Sequence, residues 1–167
     1  MPTAVTHVLL TIIAVDILRD YVFKHKHLLN MKVLLFAGVM GLAPDIDIPL
    51  YWLLKNILGL DIGWFHRTFT HSVFIPLIFL ALALIYSKRH KVMVLFAVAS
   101  FAWTFHIGLD MVFAGYAMPF WPLSTTAVGL DILGRLGWPD LMEGLDALLL
   151  LGWLLHEEIR HKISDFI

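Results

Sequence analysis

Two histidines and an arginine stand close together in HRTFTHS, residues 66–72, directly ahead of the apolar run VFIPLIFLALALIY. His106 and Asp110, in FHIGLD, are spaced i, i+4, so both side chains share one helical face. Asp45 and Asp47 occur together in GLAPDIDIP, and His7 lies near the start. Imidazole and carboxylate in one set suit Zn²⁺, Mn²⁺ or Fe²⁺. The chain has no cysteine, so any metal must be held by nitrogen and oxygen. The candidate ligands are His7, Asp45, Asp47, His66, His71, His106 and Asp110. They exceed the three or four that one catalytic zinc takes. That predicts two or more divalent ions, zinc first, with manganese or iron as alternatives. Such a site polarises a substrate, lowers the pKa of a bound water and steadies a leaving oxygen. Arg67 adds a planar fork of donors suited to phosphate, and Arg135 is a weaker second anion contact. The chemistry that fits is phosphoester hydrolysis by a metal-activated water, with catalytic roles for Arg67 and Asp47.

These residues must be carried by a membrane protein. Of 167 residues, 60% are hydrophobic and 15% charged, and mean hydropathy is +0.83; soluble domains carry about 25% charged residues. The length bounds one domain, residues 1–167. A net charge of −1 gives no reason to expect a nucleic-acid partner. Five apolar segments fall near 4–18, 32–44, 72–87, 92–114 and 141–156, too long and Leu/Ala-rich for alternating strands. The expected fold is all-α: a membrane bundle of about five helices, with an amphipathic sixth piece at 48–60 lying along the interface. MPTAVTH lacks a basic start and no small-residue cleavage site follows, so segment one reads as a retained helix. Nine of the 12 Lys and Arg residues (Arg19, Lys24, Lys26, Lys32, Lys88, Arg89, Lys91, Arg160 and Lys162) fall on one side if every segment crosses. The positive-inside rule makes that side cytoplasmic. The N-terminus then faces out, with the His and Asp residues of four segments at the same outer face of the cell membrane.

Plainer readings compete. A lone membrane histidine such as His7 can simply bond a neighbouring helix, and Asp45 can be a turn residue. Thr70 reads as the N-cap of segment three, and Pro44 as the stop of segment two. His25, His27, His90, His156 and His161 sit among cytoplasmic charges and receive no role. Asp140, Glu143 and Asp146 open segment five, where acids complement a helix dipole. Trp64, Trp103, Trp121 and Trp138 read as interfacial aromatics. For His66, His71, His106 and Asp110 together, a functional reading is stronger.

At LAPDIDIP, HRTFTHS, HIGLD and the downstream PFWPLS the chain resembles the YdjM-like membrane-bound metal-dependent hydrolases. The resemblance runs from Thr6–His7 to Pro119–Pro122. It implies an integral membrane metal-dependent hydrolase of unassigned natural substrate, with motif positions His7, Asp45, Asp47, His66, Arg67, His71, His106 and Asp110. More distantly, the ligand series ending in His-x3-Asp is similar to the zinc phospholipase C and P1 nuclease class. Two other membrane hydrolase types fit worse. No H-E-x-x-H is present, and Phe101 follows Ser100 where a phosphatidic-acid-type phosphatase would need Arg. The expected substrate is a lipid or lipid-linked phosphoester with the 115–140 loop over the site. The alternative is a metal transporter or metal-binding membrane protein without hydrolysis, disfavoured because transporters place ions near the midplane. A closed, purely structural metal is the third reading.

Overall fold

The computed structural model describes residues 3–22, 28–60, 66–137 and 141–162, without the side chains of residues 114, 141–144 and 161. Lys24, His25, Lys26, His27, Trp64, Trp138 and Asp140, weighed above, lie outside the described residues, as do the side chains of Glu143 and His161. The described residues form helices joined by loops, with no strand; Ala117 and Val128 form one isolated antiparallel bridge. Helix α1 is Ala4–Ile17, extended by a π-helical turn, Leu18–Val22. Helix α2 is Met31–Leu42 and α3 is Asp47–Trp52, α4 is Phe74–Ile85 and α5 is His90–Leu109. A short α6, Ile132–Leu136, precedes α7, Leu141–His161. The five segments and the sixth piece expected from the sequence are all present.

Two boundaries differ from expectation. Pro44 does not end the helix: the chain tightens into a 3-10 turn over Ala43–Ile46 and resumes as α3, giving helical backbone from Met31 to Ile57. Pro44 sits in the first turn of that 3-10 piece, where a missing N–H costs nothing. Thr70 is not the N-cap of α4, which begins three residues later than expected, after Val73 and without a side-chain cap. The Thr70 hydroxyl is spent on Asp47 instead.

Met31–Ile57 and His90–Phe113 are long and apolar enough to cross a membrane, and Phe74–Ile85 is a shorter apolar helix. Burial is inverted relative to a water-soluble protein. Thr6, His7, Thr11, Asp16, Arg19, Asp47, Arg67, His71, His106, Asp110 and Glu157 are buried, while leucines and isoleucines cover the outside. On α7, Leu148, Leu151, Leu155 and Ile159 face outward, whereas Asp146, Trp153 and Glu157 bond α1. That polarity is stable only with hydrocarbon outside. In such a solvent apolar contact alone does not drive helices together, so close backbone approach and buried polar bonds must. Gly38 and Gly41 of α2 supply the approach: a Cβ at Gly38 would lie 2.8 Å from Ile12 Cδ1, and one at Gly41 2.8 Å from Thr11 Cβ.

The polar bonds run along α1 and α7, which lie parallel. Thr3 and Thr6 form a capping box, and their hydroxyls donate to Asp146 Oδ2 and Oδ1 at 2.5 and 2.6 Å. At the other end Arg160 Nη2 donates to the Tyr21 hydroxyl at 2.9 Å. Asp146 was expected to serve the dipole of its own helix, and it also anchors the turn that carries His7. Asp146→Ala is expected to destabilise the protein by about 1–3 kcal/mol, the range for stranding buried hydroxyl donors. Thr6→Val made on top of it should add little. Thermal unfolding of the four proteins of that cycle in detergent tests the coupling, and additive losses would contradict it.

Candidate metal centre

One end of the bundle gathers residues from α1, the α2–α3 junction, the 66–73 loop and α5. His7 projects from the first turns of α1 and Asp45 from the 3-10 turn, while Asp47 opens α3. His106 and Asp110 lie one turn apart at the end of α5, where Asp110 begins a π-helical turn, Asp110–Ala114. Single π turns inside helices are frequent at functional sites. The loop is held from both sides. Trp103 Nε1 donates to Thr70 O at 2.7 Å, and Met118 N to Arg67 O at 3.1 Å. Val73 N donates to Pro119 O at 2.9 Å, and the Ser72 hydroxyl to Trp121 O at 2.7 Å. The 116–121 stretch therefore packs directly on the site loop. Trp103, expected at an interface, is buried here instead.

The hydrogen-bond network decides which imidazole nitrogens are bare. Gly41 O can only accept, so His106 Nδ1, 2.7 Å away, carries a proton, which in the neutral tautomer leaves the lone pair on Nε2. The Thr70 hydroxyl donates to Asp47 Oδ2 at 2.6 Å, so it accepts from His71 Nδ1 at 3.0 Å. His71 Nε2 is then bare too. Burial pushes the His71 imidazole below the ordinary histidine range, with Asp110 opposing, so the ring is neutral near pH 7. With both rings neutral in these tautomers, two lone pairs face each other, His71 Nε2 to His106 Nε2 at 3.1 Å.

Two carboxylate oxygens complete the group. Asp110 Oδ2 lies 3.3 Å from His71 Nε2 and 4.0 Å from His106 Nε2, and Asp45 Oδ1 lies 3.7 and 3.4 Å from the same atoms. Bonds of about 2.0 Å in a tetrahedron give ligand–ligand edges of about 3.3 Å. Five of the six edges among these four acceptors are 3.1–4.0 Å, close to those of a divalent cation's coordination shell. The residues fit the metal that the sequence implied.

Around this quartet, His7 stacks on His106 with ring centroids 3.9 Å apart and places Nε2 3.4 Å from Asp110 Oδ1. Possible three-residue ligand sets are His7, Asp45 and His106; Asp45, His66 and His71; and His71, His106 and Asp110. Asp45 belongs to two of these sets, and at 18% side-chain exposure it is the open edge of an otherwise buried site. Asp47 belongs to none. Its oxygens accept from His66 Nδ1 at 2.9 Å and from the Thr70 hydroxyl, the outer arrangement that orients ligand histidines. Arg67 is buried, donates Nε to Asp110 Oδ2 at 3.0 Å and lies over the Tyr116 ring. Its φ of 64° is the left-handed region that costs a non-glycine residue about 1–2 kcal/mol, a strain that clusters at functional sites. Arg135 stands exposed on α6, and no contact among the described residues joins its side chain to the centre.

Three supporting residues escaped sequence reading: Thr70 as an acceptor, Trp103 as its clamp, and Gly41 as the carbonyl under His106. Only burial reveals them. A second polar group, Asp16, His156 and Glu157, joins the far ends of α1 and α7. There Arg19 Nη2 already lies 2.5 Å from Asp16 Oδ1 and 3.1 Å from Glu157 Oε1, so a guanidinium fills the middle.

The chain belongs to the YdjM inner membrane protein family, whose model matches residues 1–161. Comparison with curated proteins and with solved structures finds no match.

Purified protein is expected to carry near-stoichiometric divalent metal, removable by chelation. His71→Ala, His106→Ala and Asp110→Ala should each abolish most of it, while His90→Ala, on the exposed start of α5, should not. Asp47→Asn should weaken affinity by about 10–100-fold rather than abolish it, as outer partners do. Elemental analysis and chelator competition measure both. Equal metal in His106→Ala and His90→Ala would contradict the assignment.

Proposed function

We propose that this membrane protein is a metal-dependent hydrolase of phosphoesters carried by a lipid or lipid-linked substrate. The observation that carries the reading is the convergence of four acceptor atoms, His71 Nε2, His106 Nε2, Asp45 Oδ1 and Asp110 Oδ2. Divalent metal held there, zinc before manganese or iron, supplies Lewis acidity toward a phosphoryl oxygen and lowers the pKa of a water. His7 and His66 would extend the ligand set to a second ion, with Asp45 common to both sets. Asp47 and Thr70 hold His66 and His71 in their tautomers.

Arg67 separates this reading from one of metal binding alone. Its Nε steadies Asp110, and its guanidinium charge beside that carboxylate would favour a transferring phosphoryl group as it gains negative charge. The exposed Phe120, Trp121 and Leu123, on the loop that packs against the site, form an apolar rim fitted to a substrate resident in the bilayer. Arg135, exposed nearby in sequence, is the weaker anion contact. The 9-to-3 division of Lys and Arg supports an orientation with this rim and the N-terminus outside and the C-terminus in the cytoplasm.

Arg67→Ala is expected to retain metal and lose about 10²–10³ in rate, as when one donor to a developing oxyanion is deleted. Arg67→Lys should recover only part, because an ammonium restores charge without the fork. Metal content and hydrolysis of an aryl phosphodiester and of several phospholipids and lipid pyrophosphates are measured together. A wild type that holds metal and cleaves none of them would leave metal binding without hydrolysis as the function. For topology, Leu123→Cys and Arg89→Cys in this cysteine-free chain should label from opposite sides, Leu123→Cys from outside. Labelling of Leu123→Cys from the cytoplasm would overturn the outward-facing site.

A further inference from the structure

His7 is the one histidine of the centre whose outer nitrogen finds nothing. His66 Nδ1 has Asp47, His71 Nδ1 has Thr70 and His106 Nδ1 has Gly41 O, yet His7 Nδ1 is buried with no hydrogen-bond partner. One turn along α1, the Thr11 hydroxyl is buried and equally unpartnered. Thr11 is 0% exposed and His7 2%, so neither has bulk water as a default. Residues i and i+4 share a helix face, and the side chain at i+4 leans back over the turn before it. Thr11 therefore leans toward the base of the His7 ring, where Nδ1 lies.

The α1–α2 crossing preserves this arrangement. The Thr11 hydroxyl points at Gly41, and any side chain there would collide with it. The carbonyl of the same glycine holds His106, on whose ring His7 stacks. Gly41 thus serves both rings of the stacked pair, one through its carbonyl and the other by lacking a Cβ.

We propose that Thr11 is the positioning residue for His7. Its hydroxyl accepts the hydrogen bond of Nδ1–H through one enclosed water, and so fixes the tautomer that leaves the Nε2 lone pair for the metal centre. Buried waters bridge otherwise unsatisfied polar groups in this way, and ligand histidines almost always donate their second nitrogen. The inference rests on the metal-centre reading and assigns a residue outside the ligand set to it.

The test uses full-length protein in detergent, stripped with chelator and titrated with Zn²⁺ alone, alongside thermal unfolding of the apo form and ¹⁵N spectra of the His7 ring. Valine copies the shape of threonine without the hydroxyl, and serine keeps the hydroxyl without the methyl. Thr11→Val is expected to weaken zinc by about 10–100-fold and to mix the His7 tautomers, while Thr11→Ser stays near wild type in both. A merely structural role predicts the reverse order: Thr11→Ser less stable from the lost methyl, Thr11→Val unaffected, and zinc unchanged in both. That result would overturn the proposal alone. A wild type that binds no zinc would overturn the metal centre and this proposal with it.

Discussion

The 3.1 Å approach of His71 Nε2 to His106 Nε2 is the contact on which the rest of the site depends. Two bare nitrogens at that distance repel unless a proton or a cation lies between them, and the two carboxylate oxygens beside them add negative potential in a buried setting where little water screens it. The geometry is held because each ring is fixed from behind. Gly41 O fixes His106, and the sequence Asp47, Thr70, His71 fixes the other ring, with Trp103 clamping the Thr70 backbone. A cation converts this repulsion into attraction, so the outer hydrogen bonds work against the apo state and for the loaded one.

The constraint spreads through the fold because hydrocarbon surroundings leave polar groups nowhere else to go. Each ligand helix needs an anchor near its ligand. The capping box of α1, bound to Asp146 of α7, anchors the turn carrying His7. Gly41 lets α1 and α2 approach at the depth where His106 needs a carbonyl. The 66–73 loop is shaped by bonds to Asp47, Trp103, Met118, Pro119 and Trp121, and the Thr70 hydroxyl is spent there rather than on capping α4.

Sequence made the coarse layer legible. Leu/Ala-rich runs without alternation fix helices, and the i, i+4 spacing of His106 and Asp110 fixes one shared face. The alternation of Lys- and Arg-rich connections brings His7, Asp45, His66 and His71 to that same end. What stayed hidden depends on a few degrees of backbone. Asp45 and Asp47 look equivalent in PDID, but the 3-10 turn aims Asp45 at the two bare nitrogens and sends Asp47 behind His66 and Thr70. Pro44 reads as a stop because its effect on the preceding residue is local, whereas the continuation into α3 follows from its place in a new first turn. The pairing of Asp16 with residues of α7 spans most of the chain and has no local signal at all.

Comparison of the two polar groups shows what distinguishes a metal candidate from a salt-bridge cluster. Both contain histidine, carboxylates and one buried arginine. At the far end of α1, Arg19 reaches Asp16, Asp20 and Glu157, so its guanidinium occupies the position a cation would take. At the metal centre Arg67 meets the quartet through Nε on Asp110 Oδ2, from a backbone in the left-handed region. The four acceptors are therefore left to converge on one another. Residue types alone would have ranked the groups together; the position of the guanidinium relative to the acceptors separates them.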